Sequence, residues 1–525
     1  MSVTSRHASL KKHTTGFVVK RRWARWRMLL RERVVFVLTL LLVFLLPFPL
    51  GSNRIWAWGA EAVVAGTLLL AYLALCDAAC WQRLRHRLRS IRLLLWLMLG
   101  WLLWNGLFVL SLPSEWVAVL APAVARQAAE SGVAATGLSL DRYASLVYWL
   151  QSIFYITFFV LVFVQIHSFR RVQALVWTIF LAALVQAIYG LWLVSIGSRG
   201  LVYGFYEVSA HNLAASFVNR NHAVAYLALG LLSGVAVRIW WAAVVKLSRP
   251  VATPWRQRQN LLLRAIRFFA QPKRVVDLAL LVLLAGLAAT HSRAGVGSAL
   301  VSIAVLLACR FVRPRRQAAR IMPDNNRQAK SMTTETPQPL FRWRKWLIIG
   351  LIAGLFTGSE LRETGQRFMT PEGSPLAGER WLALQQGREY LDRYLPWGVG
   401  GGAYASFFVM HRQAGQTHFF DHAHNDYLEF LVENGLGVLF VLGMLIWIGS
   451  RAWRACRSES PSVYAAGALV LAVMVYFLLH GLWDFNARIP ANVLTGIALV
   501  AAFLGIRSTA PPFKDTKEAG QSVTK

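Results

Sequence analysis

The chain has 525 residues, 56% of them hydrophobic, and a mean hydropathy of +0.46. Soluble domains do not sustain that apolar content over such a length, so a water-soluble fold is excluded. The net charge of +32 could suit nucleic acid, but the basic residues sit in alternate segments between apolar stretches. That pattern follows membrane topology, with anionic lipid as the partner of the basic runs, and it argues against nucleic-acid binding.

In chain order, residues 1–33 form a basic tail holding ten of the 56 Lys and Arg. Positive-inside bias makes this tail cytoplasmic. A helix needs about 20 apolar residues to cross roughly 30 Å of hydrocarbon. Such stretches recur over 34–51, 56–80, 91–112, 145–167, 172–197, 221–241, 275–291, 295–312, 346–358, 425–449, 462–480 and 488–506. The first lacks a small-residue cleavage site and reads as an uncleaved signal anchor. Cys76 and Cys80 are expected on one helix face as packing residues, and the predicted periplasmic loops contain no cysteine, so no disulfide framework is implied. The loop 113–144 carries an amphipathic stretch around Val117–Ala128, expected on the membrane interface. The loops 242–274 and 313–345 are basic and cytoplasmic, and Met322–Pro339 is polar and rich in Pro, Thr and Gln.

The expectation is an all-α polytopic membrane protein with about twelve transmembrane helices. Residues 34–506 are its multi-span domain, and 507–525 a second cytoplasmic tail. A long, partly helical periplasmic loop, 359–424, precedes the tenth span. Counted on to Glu429, this loop holds nine of the 24 acidic residues. Leu376–Tyr394 has helical spacing, and Gly400, Gly401 and Gly402 read as a tight flexible turn. A loop of this length with aromatic content is expected to be ordered and functional.

Three polar constellations interrupt the apolar pattern. Asn219, Arg220, Asn221 and His222 lie where a loop enters a span. Arg220 could present a planar fork to phosphate or carboxylate, or simply snorkel to the headgroups beside a helix cap. His291, Ser292 and Arg293 form a very short turn between two spans, which holds Arg293 at the membrane surface. The third is the densest. His418, Asp421, His422, His424 and Asp426 fall within nine residues, around a helix start near Asn425, in a chain with only 12 His. Histidine suits proton transfer near neutral pH, and Asp421 or Asp426 could fix a neighbouring imidazole. The same residues are compatible with a polar helix cap or a metal site, although no metal or other cofactor is expected.

These motifs resemble the O-antigen ligase and polymerase family of bacterial membrane glycosyltransferases. The resemblance rests on FVNRNH at Phe217–His222, HSRAG at His291–Gly295, Arg380-Trp381, PWGVGGGAY at Pro396–Tyr404, HAHNDYLEFLVENG at His422–Gly435 and HGLWDFNARIPAN at His480–Asn492. Together they span roughly 180 to 500. One departure is visible: the family's Gly-x-x-Gly turn is replaced by Gly435 and Gly437, with Val438 at the expected glycine.

The resemblance implies a transferase that takes a glycan from undecaprenyl diphosphate at the periplasmic face of the bacterial inner membrane. The acceptor would be a sugar hydroxyl, on the lipid A core in ligases or on another lipid-linked repeat in polymerases. Arg220 and Arg293 would hold the diphosphate. His424, or secondarily His422, would be the base, with Asp426 as orienting partner and direct displacement inverting the anomeric centre. Asn219, His222, Asn425, Arg380, Asp484 and Arg488 are further candidates. The alternatives are a transporter or flippase of lipid-linked sugars and a non-catalytic component of a polysaccharide export system.

Overall fold

The structure is a computed structural model that describes residues 26–197, 201–202, 206–207, 212–245, 271–312, 385, 387–412 and 419–509. The expected span 346–358, half of the loop 359–424, His418 and Arg380 lie outside the described residues, as do most of both tails. Apart from one antiparallel pairing of Leu201–Val202 with Tyr206–Glu207, the regular structure among the described residues is helical. That follows from the solvent, because a backbone in hydrocarbon must satisfy its own hydrogen bonds.

The main helices are α1 (Val35–Leu45), α2 (Ile55–Ala74), α3 (Ala78–Ser90), α4 (Arg92–Leu107), α5 (Ser114–Leu120), α6 (Pro122–Glu130), α7 (Arg142–Gln165), α8 (Phe169–Ser195) and α9 (Arg220–Val245). They continue with α10 (Pro272–Ala289), α11 (Arg293–Val312), α12 (Tyr404–His411), α13 (Asp426–Asn434), α14 (Val438–Ala455), α15 (Pro461–His480) and α16 (Pro490–Thr509). Among the described residues, seven helices are long and apolar enough to cross a membrane, or eight if the bent pair α3–α4 counts as one span.

Two expected boundaries change. The stretch 56–80 does not continue as one helix. It stops after Ala74, and Asp77 then caps α3 by accepting from the Cys80 amide at 2.7 Å. Cys76 and Cys80 therefore meet across a break instead of sharing a helix face. Along α3, Leu84 and Arg87 point inward while Arg83, Arg85 and Arg89 are exposed, and α4 leaves at 77°. The inward Arg87 bonds the carbonyls of Phe163, Val164 and Ile166 at 2.6, 3.0 and 2.6 Å, so it closes the carboxyl end of α7. A guanidinium suits that place because it meets both orphan carbonyls and the negative end of the helix dipole.

The stretch 425–449 is also broken. α13 and α14 are joined by a single tight turn, Gly435–Gly437. A side chain at Gly435, whose φ is +50°, would run into the Pro396 carbonyl oxygen at 2.2 Å. The Gly435 and Gly437 spacing thus brings this break against the Pro396–Gly402 loop. Gly398–Gly401 of that loop are buried and bonded, not a flexible turn: Val399 N meets Val432 O and Gly400 N meets Glu433 O, both at 2.9 Å.

One apolar core runs through the bundle from Val35 to Ile506, with α9 almost wholly buried at its centre. A second, smaller core lies at one end. It joins Val117 and Val124 of α5 and α6 to Tyr394, Val399, Phe407, Phe408, Phe420, Ala423 and Val432. Two loops far apart in sequence therefore form one cap over that end of the bundle, where α9 and α13 begin and α15 finishes. The amphipathic stretch around Val117 buries its inner face in this cap and exposes Trp116 and Val119.

Candidate active site

The capped end gathers the polar motifs, and each is placed by local backbone chemistry. Asn219 starts α9: its carbonyl accepts from the His222 and Ala223 amides, both at 3.1 Å, and its side chain accepts from the Asn221 amide at 2.8 Å. Side-chain acceptors at this position are the usual means of satisfying the first amides of a helix. The first turn then splits its two basic residues. Arg220 is exposed, whereas His222 is buried among the helices.

The 290–293 turn sits next to this start. A side chain at Gly295 would lie 2.2 Å from Val224, so α11 and α9 cross closely, one turn from Arg220. Arg220 Nη1 and His291 Nδ1 both bond the amide oxygen of Asn212, at 2.9 Å each.

Asn425 caps α13 by accepting from the Leu428 amide at 2.9 Å and donates to Leu482 O at 3.0 Å. Asp426 N donates to Gly481 O at 2.8 Å, and Asp426 Oδ2 accepts from Ala487 N at 3.2 Å. Through these bonds the 422–435 segment is sewn to the 480–492 segment. Asp426 was expected to orient an imidazole. It bonds this backbone instead, and the carboxylates beside the imidazoles are Glu429 and Asp484.

Two histidine–carboxylate pairs result. His422 Nδ1 lies 2.7 Å from Glu429 Oε1, and the other Glu429 oxygen accepts from the Ala423 amide at 2.8 Å. His424, a non-glycine residue at φ +52°, places Nδ1 3.4 Å from Asp484 Oδ1. Phe485 is the shared wall. His422 stacks on it at 4.1 Å between ring centres, while His222 and His424 meet it edge-on at 4.8 and 5.0 Å. Behind it, buried His480 bonds Tyr476 and Asn486, both at 2.9 Å, and Asn492 donates to His222 O at 3.2 Å.

Arg488 closes the site from below. Its Nε lies 3.0 Å from Glu429 Oε1, its Nη2 bonds Glu433, and its guanidinium covers the Phe430 and Tyr148 rings at 4.5 and 5.0 Å. Burial pulls the His422 proton affinity down, but the adjoining Glu429 carboxylate outweighs it and the net shift is upward. Burial pushes Asp484 up, yet His424 and His222 hold it below the usual carboxylate range. Among the described residues, no three His, Cys, Asp or Glu side chains converge on a point that could hold a metal ion.

Of the sequence candidates, Arg220, Asn219, His222, Arg293, His422, His424, Asn425, Asp426, Asp484 and Arg488 all lie at this end. Glu429, Glu433, Phe485, His480 and Asn212 are not among those candidates. A signal for two of them existed: Glu429 and Glu433 are i,i+4 on one face of a helix whose environment is apolar, a placement that demands a cation.

These features define a multi-span, all-helical membrane protein with an ionisable site at one end of its bundle. The family model described as O-Antigen ligase matches residues 278–448, so this part of the chain is similar to that family, in line with its motifs. The match includes His291–Gly295 and Pro396–Gly435 and leaves Arg220 and 480–492 outside it. It supports a glycan-transfer function of the ligase or polymerase type. No curated protein matches the chain.

Proposed function

We propose that this protein transfers a glycan from undecaprenyl diphosphate to a sugar hydroxyl at the periplasmic face of the bacterial inner membrane. One observation carries the reading: the first turn of α9 brings the Arg220–Arg293 side and the two histidine–carboxylate pairs to the same end of the bundle. Arg31, Arg83, Arg85, Arg89, Arg171, Arg454 and Arg507 gather at the opposite end. The positive-inside rule assigns that end to the cytoplasm and the capped end to the periplasm.

In this reading the leaving group is a lipid diphosphate that gains charge as its bond to the anomeric carbon breaks. Arg220 and Arg293 stabilise it with a planar fork of donors at headgroup depth, and no metal is required. The acceptor oxygen attacks the anomeric carbon, the carbon–oxygen bond to phosphate breaks with its electron pair going to the diphosphate, and the hydroxyl proton passes to an imidazole. His424 is the base, its Nδ1 side facing Asp484 and leaving Nε2 for the proton. His422 is the second choice, positioned by Glu429. Single displacement inverts the anomeric centre. The cap of 113–141, 387–412 and 419–424 excludes water that would otherwise hydrolyse the donor.

The acceptor is either a lipid A core or another lipid-linked glycan. A deletion strain distinguishes them: accumulated single repeats on lipid mean a polymerase, and accumulated full-length polymer on lipid means a ligase. A deletion strain whose lipid-linked glycans are unchanged overturns the reading.

A further inference from the structure

We infer that His291 is a third ligand of the lipid diphosphate, and that the Asn212 amide oxygen occupies the place of a diphosphate oxygen until the donor arrives. This rests on the reading that Arg220 and Arg293 meet the diphosphate.

Arg220 Nη1 and His291 Nδ1 approach the same Asn212 atom, each at 2.9 Å. A guanidinium can only donate, so the Asn212 atom facing it is the carbonyl oxygen, not the amide nitrogen. It follows that His291 Nδ1 carries a proton and also donates. Two donors from different elements, the start of α9 and the end of α10, thus converge on one oxygen.

The backbone holds that convergence in place. His291 is a non-glycine residue at φ +52°, a conformation that local structure must impose. Thr290 Oγ1 donates to Leu287 O at 2.6 Å, and the His291 amide to Ala288 O at 3.0 Å. On the other side, Leu213 N donates to Ala289 O at 2.8 Å, tying the residue after Asn212 to the same helix end. An amide oxygen is a neutral acceptor. An anionic phosphate oxygen is a stronger acceptor for a guanidinium, so the exchange favours the ligand. Arg220 is exposed and Asn212 half-buried, which leaves the displaced amide somewhere to go.

The test measures binding of labelled undecaprenyl diphosphate to the full chain in lipid nanodiscs, with inorganic pyrophosphate as competitor. His291→Asn tolerates a positive φ and removes the imidazole donor. It should weaken lipid-diphosphate binding about tenfold or more, the usual scale for a hydrogen bond to a charged group. Asn212→Asp puts a tethered carboxylate between the donors and should weaken binding to a similar degree. Asn212→Ala removes the competitor and should leave binding as tight or tighter. That opposite sign is the signature of a placeholder. Competition by pyrophosphate alone supports recognition of the head group, and its failure overturns a site for the diphosphate itself. If Asn212→Ala weakens binding alongside Asn212→Asp, Asn212 is a structural support and the placeholder role is overturned. If His291→Asn binds like the parent while Arg220→Lys is weakened, His291 is no ligand and the functional reading still stands. If the parent chain does not bind the lipid diphosphate, the functional reading itself is overturned.

Discussion

Arg488 offers the sharpest test of how the site is held together. It is buried between Glu429 and Glu433, which are both buried. In Arg488→Met the volume is nearly kept, but two buried carboxylates lose the cation they share, and only His422 remains beside one of them. Removing one partner of a buried ion pair costs about 3–5 kcal/mol, because the charge left behind is uncompensated. At about 2 °C per kcal/mol for a large domain, the apparent unfolding midpoint should fall by roughly 6–10 °C. Arg488→Lys keeps the charge but cannot reach both carboxylates with a planar fork, so it should lie between parent and Met. The triple variant with Glu429→Gln and Glu433→Gln should regain at least half of the loss. The assay is thermal unfolding of detergent-purified protein at fixed scan rate, since membrane proteins of this size unfold irreversibly. An Arg488→Met midpoint within 2 °C of the parent, or a triple variant no better than the single, would refute the argument.

Other expectations follow from the same geometry. His424→Ala should lose about 10²- to 10⁴-fold in single-turnover transfer, and His422→Ala less; equal rates for His424→Ala and the parent would place the base elsewhere. His422 has a raised proton affinity in the fold, so its pairing with Glu429 stabilises fully below pH ~6.5. That contribution is lost as pH rises through the raised value, so the midpoint difference between parent and His422→Gln should be largest in acid and shrink in alkali. A difference that grows with pH would contradict the pairing. Purified protein should keep its activity in a strong chelator; loss on chelation, restored by one divalent ion, would move His418, Asp421, His422 and His424 to the ligand role.

The sequence by itself determined the solvent, the secondary structure and the chemistry-bearing segments. Apolar runs of membrane length leave the backbone no option but helix, and polar residues clustered at the ends of such runs stand out against 56% hydrophobic content. It also carried the order of motifs that resembles the O-antigen ligase family. What it could not settle was which carboxylate meets which imidazole. Asp426 is two residues from His424, yet its backbone-bonded position at the start of α13 turns it to Ala487 N, while Asp484, 60 positions on, reaches His424. Nor could it show that 113–141, 387–412 and 419–424 build one core, or that Cys76 and Cys80 flank a break. Periodicity records which face of a segment is apolar. Which segments face each other is decided by helix crossings such as Gly295 on Val224 and by hydrogen bonds such as Asp426 N to Gly481 O, and these long-range contacts leave no local signature in the chain.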